Sequence, residues 1–266
     1  MFLSKIKTKK SLLKGFKKSY GRNNQGKITA SARKKGHKRL YRNISNQPLT
    51  DQPGLIVNIE YDPNRSNFIA KVLTKQNMKY VYKYIPCTQT MNVLQYLKPV
   101  THELKPSQNY NNGKTFYIKN LAIGDLISNI EKYPNQGPVF ARSAGTVGQI
   151  INFNNKNDLV RIQLPSKEHY YILPDCKVSL GKNANTFHKY LQKWKAGHSS
   201  AIGKRAHTRG VAKNPVDHPH GGGEGKSSVG RQPVTPQGRL TRGVKTRKKK
   251  KNSFFIALHR RLNKKF

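Results

Sequence analysis

The densest set of reactive side chains in the sequence is NPVDHPHGGGEG, at Asn214–Gly225. This segment places two carboxylates and two imidazoles around three consecutive glycines, from Asp217, His218, His220 and Glu224. Such groups are metal ligands, but an H-x-H pattern between prolines, without a third clustered ligand, matches no common metal spacing. We therefore predict no metal site.

The same segment allows two other interpretations. His218 oriented by Asp217 is a candidate for acid–base catalysis, although adjacent residues rarely face each other and no nucleophile accompanies them. Alternatively, the segment is a rigid loop that runs between RNA helices. Pro215 and Pro219 fix φ, and Gly221–Gly223 let the backbone approach phosphates. Histidines donate hydrogen bonds to RNA and stack on its bases, so we favour RNA binding and predict no catalytic residue.

The charge of the chain supports a polyanionic partner. The 266 residues include 52 Lys and Arg but only 11 Asp and Glu, which gives a net charge of +41. Residues 1–50 contain no acid, and after Asp175 only Asp217 and Glu224 remain. Both ends are therefore almost purely basic, whereas the middle is balanced enough to fold alone. Basic, glycine-rich ends bury too little to offset chain entropy and should order against nucleic acid.

The balanced middle reads as two groups of antiparallel strands. In the first group, period-two alternation predicts a strand at Leu55–Tyr61, and a turn at Asp62–Asn67 joins it to a partner strand at Phe68–Thr74. A third strand is expected at Lys79–Ile85, and a strand resumes at Thr115–Leu121. In the second group, which begins at Ala122, short β-branched and aromatic runs predict strands at Thr146–Phe153, Leu159–Leu164 and Tyr170–Leu173. Short strands at this spacing are typical of small barrels.

The segments around the strands are predicted to differ in structure. The glycine-punctuated segment Tyr20–Asn43 should be extended rather than helical. Spacing of apolar residues at i, i+3, i+4 and i+7 predicts a short amphipathic helix over Thr186–Gly197. We expect Trp194 on this helix to pack against protein rather than to stack on bases. The sequence contains no apolar run long enough for a transmembrane helix.

Several motifs, in order, resemble the large ribosomal subunit protein two family, of the bacterial and organellar type. They are GRNNQGKIT (Gly21–Thr29), GHKRLYR (Gly36–Arg42), EYDPNRS (Glu60–Ser66), ARSAGT (Ala141–Thr146), NPVDHPHGGGEG (Asn214–Gly225), RQPVTPQG (Arg231–Gly238) and KTRKKKK (Lys245–Lys251). The resemblance extends over nearly the whole chain.

The resemblance implies a mainly β fold, with an OB-fold barrel followed by an SH3-like barrel and long basic irregular extensions. The implied domains are an N-terminal extension at 1–43, an OB-fold RNA-binding domain at 44–118, an SH3-like barrel at 119–185, and a C-terminal extension at 186–266. The last begins with the short helix and continues as a basic, Gly/Pro/His-rich, RNA-penetrating segment. Residues 87–117 depart from the bacterial pattern as an insertion or a diverged stretch.

The resemblance also implies a structural role in the large ribosomal subunit. This role comprises primary binding of large-subunit ribosomal RNA and support of subunit association, tRNA placement and the peptidyl transferase region. We expect RNA contacts from Arg22, Asn23, Asn24, Lys27, His37, Lys38, Arg39, Arg42, Arg65, Arg142, Lys204, Arg205, Arg209, His218, His220, Arg231, Arg239, Arg242, Lys245 and Arg247. The loop implied to lie close to the peptidyl transferase centre comprises Asp217, His218, Pro219, His220, Gly221, Gly222 and Gly223.

Expected partners are neighbouring ribosomal proteins, the small subunit and an organelle-specific protein at residues 87–117, with no membrane. No cofactor is expected, and Mg²⁺ enters only as part of the RNA environment. A composition rich in Lys, Asn, Ile, Phe and Tyr favours a mitochondrial ribosome in the matrix, and a bacterial cytoplasm is the alternative. The basic Met1–Ser19 is compatible with a targeting segment. The rival functions are an enzyme that uses His218 and a non-specific condenser of nucleic acid.

Overall fold

The computed structural model describes residues 10–15, 18–45, 53–97, 114–154, 158–225, 229–244 and 256–258. The chain divides into two compact units. The first unit comprises Met1–Phe16, Arg39–Gln192 and Asn252–Phe266, and the second comprises Lys17–Lys38 and Lys193–Lys251. The second unit therefore joins two segments from opposite ends of the sequence.

The first unit begins with a small ribbon and a four-stranded sheet, both antiparallel. The ribbon pairs β1 (Leu13–Gly15) with β2 (Leu40–Arg42). The sheet contains β3 (Gly54–Glu60), β4 (Ile69–Gln76), β5 (Lys79–Pro86) and β6 (Tyr96–Leu97), in the spatial order β5-β4-β3-β6. The three strands predicted before residue 90 are thus confirmed. Their buried side chains form one core, which comprises Ile56, Ile59, Ala70, Val72, Ile85, Cys87, Met91, Leu97 and Ala184.

The second β module of this unit has its own sheet and core. Its strands are β7 (Thr115–Tyr117), β8 (Leu126–Ser128), β9 (Ile130–Glu131), β10 (Pro138–Phe140), β11 (Gly148–Asn154), β12 (Leu159–Gln163), β13 (His169–Ile172), β14 (Lys177–Leu180) and β15 (Ile256–Leu258). Seven of them are ordered β15-β13-β12-β11-β8-β14-β7, and β9 pairs with β10. The core includes Ile127, Ile150, Ile162, Val178 and other aliphatic residues.

The mainly β fold class is confirmed, with an OB-fold barrel followed by an SH3-like barrel. Alternation succeeds as a predictor where a strand buries mainly one face. In β12, for example, Val160 and Ile162 are buried, whereas the residues between and beside them are half-buried. The segment Tyr20–Asn43 is not helical, as expected, but it is not extended throughout, because turns and bends alternate with isolated bridges before β2.

The predicted amphipathic helix over Thr186–Gly197 is wrong. A 3₁₀ helix covers Thr186–Tyr190, and an α-helix, α1, begins only at Ala196 and ends at Ile202. Lys189 and Lys193 would repel each other at i, i+4 on a continuous helix. The packing role expected of Trp194 is also wrong, because its side chain is 81% exposed. A helix with no apolar surface to cover loses the packing that stabilises short helices.

Short 3₁₀ helices account for the other helical segments. They lie at Lys10–Leu12, Ile118–Asn120 and Gly210–Ala212. Within the described parts of the chain, no helix combines the length and the apolar character that a membrane crossing requires.

A buried carboxylate organises the SH3-like barrel. Glu131 is 2% exposed and accepts backbone hydrogen bonds from Asn135 (3.3 Å), Gly137 (3.0 Å) and Lys177 (3.0 Å). It thereby ties β14 to the turn between β9 and β10. Three donors compensate the cost of removing one charge from water.

We predict that Glu131→Ala lowers the free energy of unfolding by at least about 2 kcal/mol, because it leaves three N–H groups without their acceptor. Urea denaturation of the full chain measures this loss. Asp175→Ala is the matched control, since Asp175 pairs with Lys119 on the surface at 2.8 Å, and such exposed pairs contribute at most about 1 kcal/mol. Equal losses in the two variants would contradict the assigned role of Glu131.

Candidate nucleic-acid interface

In the first unit, three of the predicted RNA-binding arginines lie on or beside the turn at Asp62–Ser66. Arg65 donates from Nε to Asp62 Oδ2 at 2.7 Å. Arg39 donates to the carbonyl of Pro63 at 3.1 Å, and Arg42 lies in β2. Asn64 Nδ2 donates to the carbonyl of Leu40 at 2.9 Å, which fastens β2 to the turn. These contacts hold two guanidinium groups at one loop and place the strand of the third beside it.

The fourth arginine of this unit, Arg142, lies on the loop between β10 and β11. Arg142 itself is exposed, and the loop on which it lies is held at both ends. The N–H of Ala144 donates to Ser66 Oγ at 3.1 Å, and Asn185 Nδ2 donates to the carbonyl of Ser66 at 2.7 Å. The turn of the OB-fold barrel and the Arg142 loop of the SH3-like barrel are therefore hydrogen-bonded to each other.

Asn183 lies at the centre of the contact between the two barrels, although no pattern in the sequence indicates its role. The residue is fully buried, and its Nδ2 donates to the carbonyls of Ala141 (2.6 Å) and Ser143 (3.2 Å). Its Oδ1 accepts from Asn129 Nδ2 at 3.0 Å, and its backbone forms a bridge with Thr88 of the OB-fold barrel. One amide side chain thus holds both ends of the Arg142 loop.

In the second unit, the N-terminal part, Lys17–Lys38, is called the basic segment below, and it folds on itself. Asn23 Oδ1 accepts from the N–H groups of Gln25 (3.0 Å) and Lys27 (2.9 Å), and Arg22 donates to the carbonyl of Gly26 at 2.8 Å. The structure therefore gives Asn23 an internal role in the turn. Asn24 and Lys27 are exposed to solvent on this turn.

The same basic segment is hydrogen-bonded to residues near the other end of the chain. The N–H of His37 donates to the carbonyl of Ala201 at 2.8 Å, and the N–H of Lys34 donates to that of Gly203 at 3.0 Å. The N–H of Arg205 donates to the carbonyl of Ala32 at 3.0 Å. Backbone bonds fix this pairing, which leaves the side chains of Lys38, Lys204, Arg205 and Arg209 exposed.

The Asn214–Gly225 segment of the second unit, called the histidine loop below, is held by its own side chains. His218 Nδ1 accepts from the N–H of His220 at 3.0 Å, and His220 Nε2 accepts from the N–H of Val234 at 3.1 Å. The two rings lie 4.6 Å apart between centroids. An acceptor nitrogen carries no proton, so the neutral imidazole of His218 carries its proton on Nε2.

Two glycines of the histidine loop, and Gly210 in the 3₁₀ helix before it, have close neighbours within the chain. A Cβ on Gly210 would lie 2.6 Å from the His218 ring, a Cβ on Gly221 would collide with the backbone of Asn214, and Gly222 lies against Pro215. Gly222 also adopts a φ of +92°. The close backbone approach expected from the sequence therefore occurs within the loop itself at Gly221 and Gly222.

The position of His218 disfavours catalysis. The side chain is only 8% exposed, and neither ion pair found among the described residues involves Asp217. Desolvation lowers the pKa of His218, and the neighbouring His220 and Lys213 lower it further. The other ring nitrogen, Nε2, carries the proton in the neutral form, so it donates hydrogen bonds and does not act as a base.

The remaining predicted residues fall into two groups. Arg231, Arg239 and Arg242 are exposed in the described segment 229–244, where the N–H of Thr235 donates to the carbonyl of Arg239 at 2.7 Å. Lys245 and Arg247 lie outside the described residues, as do residues 98–113 of the diverged stretch and the first nine residues. In the described ranges, no cluster of three His, Cys, Asp or Glu residues could hold a metal ion.

Two family models match the chain, one over its N-terminal part and one over its C-terminal part. The family model for the Ribosomal Proteins L2, RNA binding N-terminal domain, matches residues 9–98, and that for the C-terminal domain matches residues 111–238. The Large ribosomal subunit protein uL2 of Wolbachia pipientis subsp. Culex pipiens (strain wPip) is 42% identical over 258 residues, covering 94% of this chain and 88% of the relative. That of Rickettsia peacockii (strain Rustic) is 41% identical over 254 residues, with coverage of 95% and 89%.

We predict that Asn183→Ala weakens both folding and RNA binding, because it removes the donors that hold the Arg142 loop. The free energy of unfolding should fall by about 2 kcal/mol, as measured in urea, and RNA affinity should fall in a filter-binding assay. The loss of affinity should shrink when Arg142→Gln is already present. Asn152→Ala, on an exposed position of β11, should change neither quantity.

We predict that the histidine loop loosens as the pH falls. Protonation of His218 places a proton on Nδ1 and removes the acceptor for the His220 N–H. Because the pKa of His218 is lowered on folding, the unfolded chain binds more protons, and the stabilisation present at neutral pH is lost below the ordinary histidine value of about 6.5.

The amide resonance of His220, followed by NMR against pH, measures this transition. His218→Asn supplies a neutral oxygen acceptor at a comparable position, and its His220 amide should lose the acidic transition. A wild-type His220 amide that shows no transition over the whole acidic range in which the chain stays folded would contradict the assigned hydrogen bond.

Proposed function

The chain belongs to the ribosomal protein L2 family, and from this membership we propose that it is a structural, RNA-binding constituent of the large ribosomal subunit. The match of the family's RNA-binding domain to residues 9–98 carries the proposal. Relatives over 94% of the chain are named as large-subunit ribosomal proteins. Ribosomal RNA is accordingly the ligand of the exposed cations.

Charge supports this function in a specific way. The chain carries 52 Lys and Arg against 11 Asp and Glu. Several of the predicted RNA-binding cations, such as Lys27, Arg65 and Arg142, lie on turns or loops that amide hydrogen bonds hold in place. Each phosphate that a cation neutralises releases condensed counterions, which drives binding. The OB-fold and SH3-like barrels supply rigid supports for Arg65 and Arg142, which a protein that only condenses nucleic acid would not require.

The proposal also includes specific roles within the ribosome. We propose that the chain supports subunit association, tRNA placement and the peptidyl transferase region, with the Asn214–Gly225 loop directed towards the RNA of that region. Its contribution there is structural, because the His218 ring is held within the loop and presents a donor. Neither a cofactor nor a reaction of its own belongs to this function, and Mg²⁺ belongs to the RNA.

We further propose a mitochondrial ribosome as the location, with neighbouring ribosomal proteins, the small subunit and a protein at residues 87–117 as partners. The composition of the sequence supports this location, whereas the relatives named above come from bacteria. Sequencing RNA crosslinked to the chain in cells distinguishes the alternatives. Crosslinks in mitochondrial large-subunit RNA support the proposal, and crosslinks in bacterial ribosomal RNA place the chain in a bacterial cytoplasm. Crosslinks scattered over transcripts favour the condenser.

We predict that binding to large-subunit ribosomal RNA weakens steeply with salt and that Arg142→Gln makes this dependence shallower. The slope of log K against log[salt] should change by about 0.7–0.9 for each phosphate that the variant no longer neutralises. Filter binding at several salt concentrations measures the slope. Lys119→Gln is the control, since Lys119 already pairs with Asp175, and it should leave the slope unchanged. An affinity independent of salt would overturn the proposed function.

A further inference from the structure

Trp194 is the single tryptophan of the chain, and its side chain is 81% exposed. The residues immediately before it, from Leu191, belong to neither a helix nor a strand. Exposing a large aromatic ring to water forgoes the free energy that burial would contribute. An indole that the protein's own folding does not bury is available to a ligand.

The residues around Trp194 indicate the class of ligand. Lys193 and Lys195 flank it directly and are exposed. No Asp or Glu occurs between Asp175 and Asp217, so the surrounding segment is uniformly cationic. An aromatic face between cations is complementary to an unpaired nucleotide, which offers a base to stack on and phosphates on either side. An apolar protein partner would gain nothing from the two lysines.

The structure also holds this residue in place. Lys195 is the N-cap of α1, and the end of α1 is hydrogen-bonded to the basic segment through His37 N–H to Ala201 (2.8 Å) and Lys34 N–H to Gly203 (3.0 Å). Trp194 therefore lies two residues before a helix that is fastened beside the exposed Lys38. A ring on an anchored segment loses less conformational entropy on binding than one on a free tail.

We propose that Trp194 is a base-stacking residue, which receives an unpaired base of ribosomal RNA on its indole face while Lys193 and Lys195 neutralise the adjacent phosphates. The inference rests on the proposed function and deepens it. It assigns an RNA-specific contact to a position where the sequence pattern indicated protein packing.

The single tryptophan makes the test direct. The full chain is titrated with a transcript of large-subunit ribosomal RNA, with Trp194 emission and filter binding followed in parallel. Stacking should change the emission and saturate at the RNA concentration that saturates binding. Trp194→Leu should weaken binding roughly tenfold, within the range seen when stacking residues are truncated. Trp194→Phe, which retains an aromatic face, should keep most of the affinity.

Each outcome bears on one claim. Unchanged emission at saturating RNA, or a Trp194→Leu variant that binds as tightly as the wild type, overturns the stacking role. If the Phe and Leu variants bind alike, an aromatic face is not required, and the stacking role is overturned. Lys193→Gln should reduce the salt slope by about 0.7–0.9. Failure of the wild type to bind the transcript refutes the proposed function itself, independently of Trp194.

Discussion

Electrostatic repulsion among its own cations is the constraint on which this structure depends. A net charge of +41 on 266 residues opposes compaction wherever cations are brought together. The scarce carboxylates do little to neutralise it. Glu131 accepts hydrogen bonds from three backbone N–H groups, and Asp125 accepts one from the N–H of Ala122 at 2.9 Å. Acids therefore organise turns, and most of the positive charge is left for RNA.

Uncharged amides do the work that ion pairs do in more balanced proteins. Asn183 holds the Arg142 loop, Asn185 fastens the turn that contains Arg65, and Asn23 folds the turn that contains Lys27. An amide both donates and accepts, so it can hold two loops together without pairing with a cation. The result is a frame that positions arginines and lysines and leaves their charge available to phosphates.

The sequence predicted the parts of this structure that depend on local pattern. Strands such as β12 follow from alternation, because one face is buried. The prediction of a helix over Thr186–Gly197 was wrong, because periodicity alone does not show whether the protein has a surface on which the apolar face of the helix can pack. Asn183 could not be recognised, since one asparagine in NANT carries no distinctive pattern. The same holds for the contact between His37 and Ala201, whose partners are far apart in sequence and join through backbone groups.

That long-range contact has a consequence for the order of synthesis. Residues 32–37 leave the ribosome early, but their hydrogen-bonding partners at 201–205 are made only after both barrels have been translated. Pairings so distant in sequence form late, because the intervening chain must first be ordered. The acid-free segment thus spends most of translation without its intramolecular partner. Such a nascent chain is a polycation that can bind any accessible RNA. The cell must therefore keep it from binding other transcripts until the folded chain supplies the intramolecular partner.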